Sequence, residues 1–243
     1  MKQNSNTIIL GIAIILTAII LGNAYKSRTQ KQGTITVTGL GKKDFISDLI
    51  VWSGSFMRKN LNLKDAYATL DKDRETIREY LISKGIKAEN IVFSSVNINK
   101  DYEDQYDKDG NRTGSDFTGY TLTQSVQIES GEVDKIEEIS RKVTELINSG
   151  VEFYSNKPQY YYTKLAELKV EMIAEATRDA YARAQKIAEN AGGDVGSLTN
   201  ASMGVFQITA QNSSEDYSWG GSYNTYAKKK TAAITIRLEY EVD

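Results

Sequence analysis

Two hydrophobic periods alternate along this chain, and their succession limits its fold more than any other feature. Period two, which is typical of half-buried strands, is clearest from Ala232 to Val242, where every second residue is apolar. In another strand segment, Thr121, Thr123 and Ser125 all fall on the same face. This polar face indicates a sheet with one side exposed to solvent. The segments with strand character are 34–38, 46–56, 92–98, 122–128, 151–154, 202–209 and 232–242.

Three other segments repeat apolar residues every three to four positions, which predicts amphipathic helices. They lie between Asn62 and Gly85, from Glu132 to Asn148, and from Lys164 to Ala191. Placed among the strands, they give the order ββαββαβαββ, which predicts an α+β domain of mostly antiparallel sheets with three helices packed on them. The pattern is also compatible with two lobes, although no linker rich in Pro, Gly or Ser separates them.

The first 24 residues form a membrane-directed segment. No charge lies between Lys2 and Lys26, and residues 8–21 are all Ile, Leu, Ala or Gly except Thr17. A helix of residues 7–21 measures about 22 Å, less than a hydrocarbon core of about 30 Å. Small residues at the end of the run favour signal cleavage after Ala24, whereas the length of the run favours a retained anchor.

Both alternatives stay open, and both predict export. We expect residues 1–24 to be a signal peptide or anchor, and residues 25–32 to be a linker. Residues 33–243 are then the domain, anchored in the cell envelope or released into it, with residues 7–24 as its contact with the membrane. One N-terminal apolar helix therefore precedes the α+β domain.

The composition excludes several kinds of functional site, because the chain contains no His and no Cys. Zinc sites, nucleophiles activated by imidazole, thiol redox chemistry and haem or iron–sulfur ligation all use one or both residues. Lys and Arg total 30 against 32 Asp and Glu, so the chain has no excess positive charge for a nucleic acid backbone. We therefore expect no cofactor, no metal and no nucleic acid partner.

The predicted contact surface has two parts. Segment 210–230 is rich in Ser, Asn and Gly, and aromatic residues on such segments are typical of contact surfaces, although an ordinary flexible loop has the same composition. The third helix carries Ala at every fourth position, which lets another backbone approach closely. The predicted contact residues are Tyr217, Trp219, Tyr223, Tyr226, Ala176, Ala180 and Ala184. A further aromatic cluster, Tyr160, Tyr161 and Tyr162, precedes that helix.

Two acidic patterns offer alternatives. On the third helix, Glu167, Glu171, Glu175 and Asp179 stand four residues apart, either as the wet side of the helix or as a cation or catalytic site. Segment 105–116 has an incomplete calcium-loop register, with Gln105 in its first place and Asp116 in its last. A solvated hairpin turn centred on Asp109 and Gly110 accounts for that segment better.

Ordered sequence pieces resemble a known family. They are Ile35-Thr-Val-Thr-Gly-Leu-Gly41, Leu81-Ile-Ser-Lys-Gly-Ile86 with Asn90-Ile-Val-Phe-Ser-Ser95, Gly119-Tyr-Thr-Leu-Thr-Gln-Ser-Val126 and Ala174-Glu-Ala-Thr-Arg-Asp-Ala-Tyr-Ala-Arg-Ala184. From Gly33 to the C-terminus the chain is similar to the SIMPL-domain family, which includes a bacterial periplasmic immunogenic protein and an envelope protein of oxidative-stress defence. The resemblance implies an exported α+β protein that assembles into a homo-oligomer, and it carries over no catalytic residue.

We therefore expect a non-catalytic envelope protein that acts by self-assembly or protein contact, with a link to oxidative-stress tolerance. The alternatives are a carboxylate-based enzyme and a module that binds calcium or another small ligand.

Overall fold

The computed structural model describes residues 11–22, Tyr25 and 33–242. Residues 11–22 form helix α1, and all of their side chains are exposed. Among the described residues, no helix is both long enough and apolar enough to cross a membrane. The predicted cleavage site at Ala24 and the predicted linker beyond Tyr25 lie outside the described residues.

The remaining elements alternate strands and helices. The helices are α2 (Leu63–Ser83), α3 (Val133–Lys142) and α4 (Leu165–Ala191), with 3-10 turns at Ala88–Asn90 and Val143–Ser149. The first strands are β1 (Thr34–Ile46), β2 (Leu49–Asn60), β3 (Ile91–Phe93), β4 (Asn97–Tyr106) and β5 (Arg112–Ser130). The later strands are β6 (Phe153–Ser155), β7 (Gln159–Tyr161), β8 (Val195–Met203), β9 (Gln207–Ala210), β10 (Ser222–Tyr223) and β11 (Lys229–Val242).

The α+β class is confirmed, but the predicted order is wrong. After α1 the order is ββαβββαββαββββ, because segments predicted as single strands are divided and short strands were missed. The predicted strand 92–98 becomes β3 and β4. Both pair with β5: Phe93 lies opposite Val126, and Asn97 lies opposite Thr123. These two pairs are four residues apart on the β3–β4 side but only three residues apart on β5. One extra residue breaks the ladder although the hydrophobic alternation continues.

The predicted strand 202–209 is divided for the same reason. Met203 of β8 pairs with Ile236, and Gln207 of β9 pairs with Ala233, so this strand also carries one residue more than its partner β11. Gly204 lies in the break, where its N–H donates to the carbonyl of Thr235. A break of this kind depends on the partner strand, so the alternation of one strand alone does not show it.

The strands form two sheets, and the described chain divides into two compact units. The six-stranded sheet has the order β3-β5-β2-β6, with β4 paired to β5 and β7 paired to β2, and all of its strand pairs are antiparallel. The five-stranded sheet has the order β1-β11-β9-β10, with β8 paired to β11, and β10 runs parallel to β9. Unit 1 consists of residues 1–41, 173–204 and 234–243, and unit 2 of residues 42–172 and 205–233.

Unit 2 contains a core between the six-stranded sheet and helices α2 and α3. Trp52 and Phe56 of β2 are fully buried there with Ile77 of α2 and Ile136 of α3. Helix α2 begins where sequence predicts, because the Asn62 side chain accepts hydrogen bonds from the N–H groups of its first turn.

A partly buried ion pair also fixes helix α2 to strand β2. The guanidinium of Arg58 binds the buried carboxylate of Asp73 with two N–H groups, and it donates a third hydrogen bond to the carbonyl of Gly150 at 2.6 Å. The hydrogen bond to Asp73 raises the pKa of Arg58. The pair therefore ties a strand, a helix and the turn after the second 3-10 segment together within unit 2.

Candidate functional site

The strongest candidate site is the aromatic loop, residues 211–228, which connects β9 to β11 and contains β10. Its Trp219 side chain is 100% exposed, and the side chains of Tyr217 and Tyr226 are each 64% exposed. Tyr223 is less exposed because its ring lies against Tyr161, with ring centroids 6.4 Å apart. All four predicted aromatic contact residues therefore lie on one surface segment of unit 2.

A buried glutamine holds the middle of the aromatic loop. The amide of Gln207 donates to the carbonyl of Ser218 at 2.7 Å, and its oxygen accepts from the Ser218 N–H and the Ser222 hydroxyl. Trp219 directly follows this anchored serine. Its backbone is therefore fixed although its side chain touches only solvent.

A second hydrogen-bond network holds the two ends of the loop. The carboxylate of Glu215 accepts from the Ala210 N–H at 3.1 Å and from the side-chain amide of Asn224. The Asn224 oxygen in turn accepts from the N–H groups of Tyr226 and Ala227. The backbone of the loop is therefore held by specific hydrogen bonds at its middle and at both ends.

Below the loop, the structure brings together two aromatic groups that the sequence places apart. The N–H of Tyr160 donates to the carbonyl of Thr225 at 2.6 Å, and Tyr161 contacts Tyr223. Tyr162 packs on Phe45, with ring centroids 4.8 Å apart. The tyrosine cluster before α4 is therefore the support of the aromatic loop.

Sequence reasoning missed Lys230, which is 0% exposed. Its ammonium donates to the carbonyl of Tyr160 and lies 5.4 Å from the centroid of the Tyr223 ring. Burial lowers the pKa of Lys230 to about 8. The strand period carried a signal, because Lys230 lies two residues before Ala232 and therefore on the same face of β11 as Ala232, Ile234, Ile236 and Leu238, which are all buried.

The alanine part of the predicted contact surface needs correction. Ala176, Ala180 and Ala184 are fully buried in unit 1 and offer no surface to another chain. A β-carbon on Gly39 of β1 would overlap the carbonyl oxygen of Ala176 and lie 2.5 Å from the amide nitrogen of Ala180. The alanine stripe does let a backbone approach closely, but that backbone is β1 of the same chain.

The acidic stripe of α4 includes two carboxylates with structural partners. Asp179 accepts a hydrogen bond from the Leu40 N–H at 2.8 Å and pairs with Arg183, and these contacts lower its pKa in that order. Glu171 pairs with Lys43 at 2.6 Å. Asp179 therefore accepts a hydrogen bond from the backbone of β1 within unit 1, and Glu171 forms an ion pair with the Lys43 side chain of β1 within unit 2.

Segment 105–116 forms the turn between β4 and β5. The carboxylate of Asp107 accepts hydrogen bonds from the N–H groups of Asp109 and Asn111 and from the Asn111 side chain, which lowers the pKa of Asp107. Gly110 has a φ of +83°. The geometry is that of a hairpin turn, and among the described residues no group of three carboxylates is placed to hold a metal ion.

Comparison with known proteins identifies the family. A search of curated proteins found no match. The model of the SIMPL family, described as a protein of unknown function (DUF541), matches residues 35–242, which is most of the chain. The chain therefore belongs to the SIMPL family.

Proposed function

We propose that this chain is a non-catalytic protein of the cell envelope that acts by contact with proteins, above all with copies of itself, through the aromatic loop. The observation that carries the proposal is the fully exposed Trp219 on an ordered loop. Removing a Trp side chain of about 150–250 Å² from water is worth roughly 4–6 kcal/mol, of which association retains only a part after its entropic costs. That stabilisation is unused in the isolated chain.

The flanking residues support the same function. Tyr217 and Tyr226 extend the exposed aromatic surface on both sides of Trp219. Trp and Tyr are enriched among the residues that dominate binding energy in interfaces. Because Gln207, Glu215 and Asn224 already fix the loop, association has to order few further backbone torsions.

The proposed envelope location is supported by the apolar segment 7–24, whose described residues 11–22 are all exposed. We include a link with oxidative-stress tolerance because the SIMPL family, to which the chain belongs, includes an envelope protein of oxidative-stress defence. A chain without Cys has no thiol to consume an oxidant, so the link does not pass through thiol chemistry.

Replacing the exposed tryptophan tests the proposal. We expect Trp219→Ser to weaken self-association of the full chain by at least about tenfold, since a large apolar anchor is lost. Analytical ultracentrifugation in a mild detergent measures the dissociation constant. Tyr106→Ser is the matched control, because Tyr106 is 63% exposed but lies on the β4–β5 hairpin. A full chain that stays monomeric at high concentration contradicts self-assembly.

The two tryptophans of the chain provide a second measurement. Trp52 is fully buried and Trp219 is fully exposed, so acrylamide quenches mainly the fluorescence of Trp219. We expect quenching to decrease as the protein concentration rises through the dissociation constant. Unchanged quenching across an observed association would place the interface elsewhere and reject the aromatic loop.

A further inference from the structure

A cleft of about 330 Å³ lies between the five-stranded sheet and the first part of the aromatic loop, entirely within unit 2. We name it the loop cleft. Its floor comes from three neighbouring strands, with Asp44 on β1, Thr231 on β11 and Thr209 on β9. Thr231 and Thr209 are direct partners across the ladder, so these side chains form one rung on the same face of the sheet. The other lining residues are Lys42, Ala210, Asn212, Ser213, Glu215, Asp216 and Tyr217.

The cleft carries an excess of negative charge. Lys42 is its one cation, against the carboxylates of Asp44, Glu215 and Asp216. The Thr231 hydroxyl donates to Asp44 at 2.5 Å and the Gln211 amide at 2.9 Å, and these hydrogen bonds, that of Thr231 first, lower the pKa of Asp44. Asp44 therefore stays ionised and fixed in orientation.

Two groups in the cleft have no partner among the described residues. Asp216 forms no hydrogen bond or ion pair there, so its carboxylate is open to a ligand. Thr209 is only 8% exposed, and its hydroxyl likewise forms no hydrogen bond with a described residue. Most of the Thr209 residue is covered while its hydroxyl opens to the cleft, where a polar atom of a ligand can form a hydrogen bond with it.

We propose that the loop cleft binds a small organic cation, namely a ligand with a primary ammonium group next to hydroxyl groups. The ammonium is recognised by Asp216 and Asp44, the ring of Tyr217 supplies an aromatic face, and the Thr209 hydroxyl bonds a neutral polar atom of the ligand. The volume lies at the small end of ligand pockets, which suits a single amino sugar. A metal ion fits less well, since no cluster of three or more carboxylates among the described residues is arranged to hold one.

This ligand site goes beyond the proposed function, because it does not depend on association through Trp219. Trp219 does not line the cleft. Tyr217 belongs to both the cleft and the exposed aromatic surface, but Asp216 and Thr209 are used only for the ligand and Trp219 only for association, so substitutions at these three positions test the two proposals separately.

Titration of the full chain with glucosamine tests the proposal. Calorimetry in phosphate buffer, without Tris and in a sugar-free nonionic detergent, avoids competing amines and sugars. We expect glucosamine to bind at least about tenfold more tightly than glucose, because only the amine carries a charge for the carboxylates. No binding of glucosamine, or equal binding of glucose, overturns the proposal.

Three variants locate the site. We expect Asp216→Asn to weaken glucosamine binding about tenfold through the lost charge, and Thr209→Val about fivefold through the lost hydrogen bond. Asp109→Asn, which changes an exposed carboxylate on the β4–β5 turn, is the control and should bind as the unchanged chain does. Binding that survives both cleft substitutions, or that falls equally in the control, overturns the assignment. Trp219→Ser should keep glucosamine binding even where it abolishes association.

Discussion

At the residue scale, Lys230 is the position where the fold opposes the ordinary preference of the side chain. A buried ammonium is normally paired with a carboxylate, whereas Lys230 has only the Tyr160 carbonyl and the face of the Tyr223 ring among its described contacts. Tyr160 supports the aromatic loop, and Tyr223 belongs to it. Lys230 therefore joins β7 and β10 at the cost of desolvating a charge.

The pH dependence of this cost has a definite sign. Below pH 8 the amine of Lys230 is charged in both the folded and the unfolded chain, so the full cost of burial is present at neutral pH. Between about pH 8 and 10.5 the folded chain has released a proton that the unfolded chain keeps. The free energy of unfolding contributed by Lys230 therefore rises with pH through this window.

We predict that Lys230→Met raises the free energy of unfolding at neutral pH by about 1–3 kcal/mol, because an unpaired buried charge is replaced by an apolar chain of similar length. The variant should also lose part of the rise in stability between pH 8 and 10.5. Urea unfolding followed by the fluorescence of buried Trp52 measures both effects.

The exposed neighbour Lys229 offers the control, since Lys229→Met changes the same side chain without a buried charge. A less stable Lys230→Met variant with an unchanged pH profile would show that the ammonium stabilises the fold.

At the element scale, the packing of β1 on α4 in unit 1 depends on one glycine. Gly39 lies just beyond the predicted strand 34–38, but in the structure it lies inside β1, where its hydrogen atom faces the backbone of Ala176 and Ala180. The short alanine side chains let β1 approach the helix closely, and the absence of a side chain at Gly39 lets the helix approach the strand. Both are needed for the Leu40 N–H to reach the carboxylate of Asp179.

We predict that Gly39→Ala lowers the free energy of unfolding by at least about 2 kcal/mol, since the new methyl group overlaps helix backbone that has no rotamer to change. Thermal unfolding followed by circular dichroism measures the loss. Gly114→Ala on β5 is the control, because its β-carbon would meet no atom closer than 3.9 Å and should change stability by less than about 0.5 kcal/mol. Equal effects of the two substitutions would contradict the close approach.

At the scale of the whole molecule, the chain combines an apolar N-terminal segment with a domain of two discontinuous units. Each unit draws on both halves of the sequence, since unit 1 takes residues 173–204 and 234–243 in addition to the first segment. Strands β1 and β11 run through both units. The SIMPL match at residues 35–242 covers the parts of both units beyond the N-terminal segment.

We predict that the chain is exported. Alkaline phosphatase fused after Asp243 should be active, because that enzyme needs an oxidising compartment, and deletion of residues 7–21 should abolish the activity. The intact mass of the mature protein then separates a signal peptide, which leaves a chain beginning at Tyr25, from an anchor that keeps Met1. An inactive fusion of the full chain contradicts export.

The sequence by itself determined the fold class, the family and most helix boundaries. Asn62 caps α2, and Gly85 and Gly150 end helical segments with φ values of +84° and +77°. Such signals are legible because capping and periodicity involve residues within one or two turns of each other. The exposure of Tyr217, Trp219 and Tyr226 was also predictable, because the composition around them is typical of a surface segment.

Only the tertiary structure decided the strand breaks, the partner of the alanine stripe and the loop cleft. Asp44, Thr209 and Thr231 come from three strands, and nothing near any one of them in the sequence indicates that they share a rung. The strand period predicts that the Lys230 side chain faces inward, but it does not predict that a charge is buried there. Its hydrogen-bond partner, the Tyr160 carbonyl, lies 70 residues away in the sequence. Local periodicity fixes which way a side chain faces, whereas strand pairing between distant segments fixes what it meets.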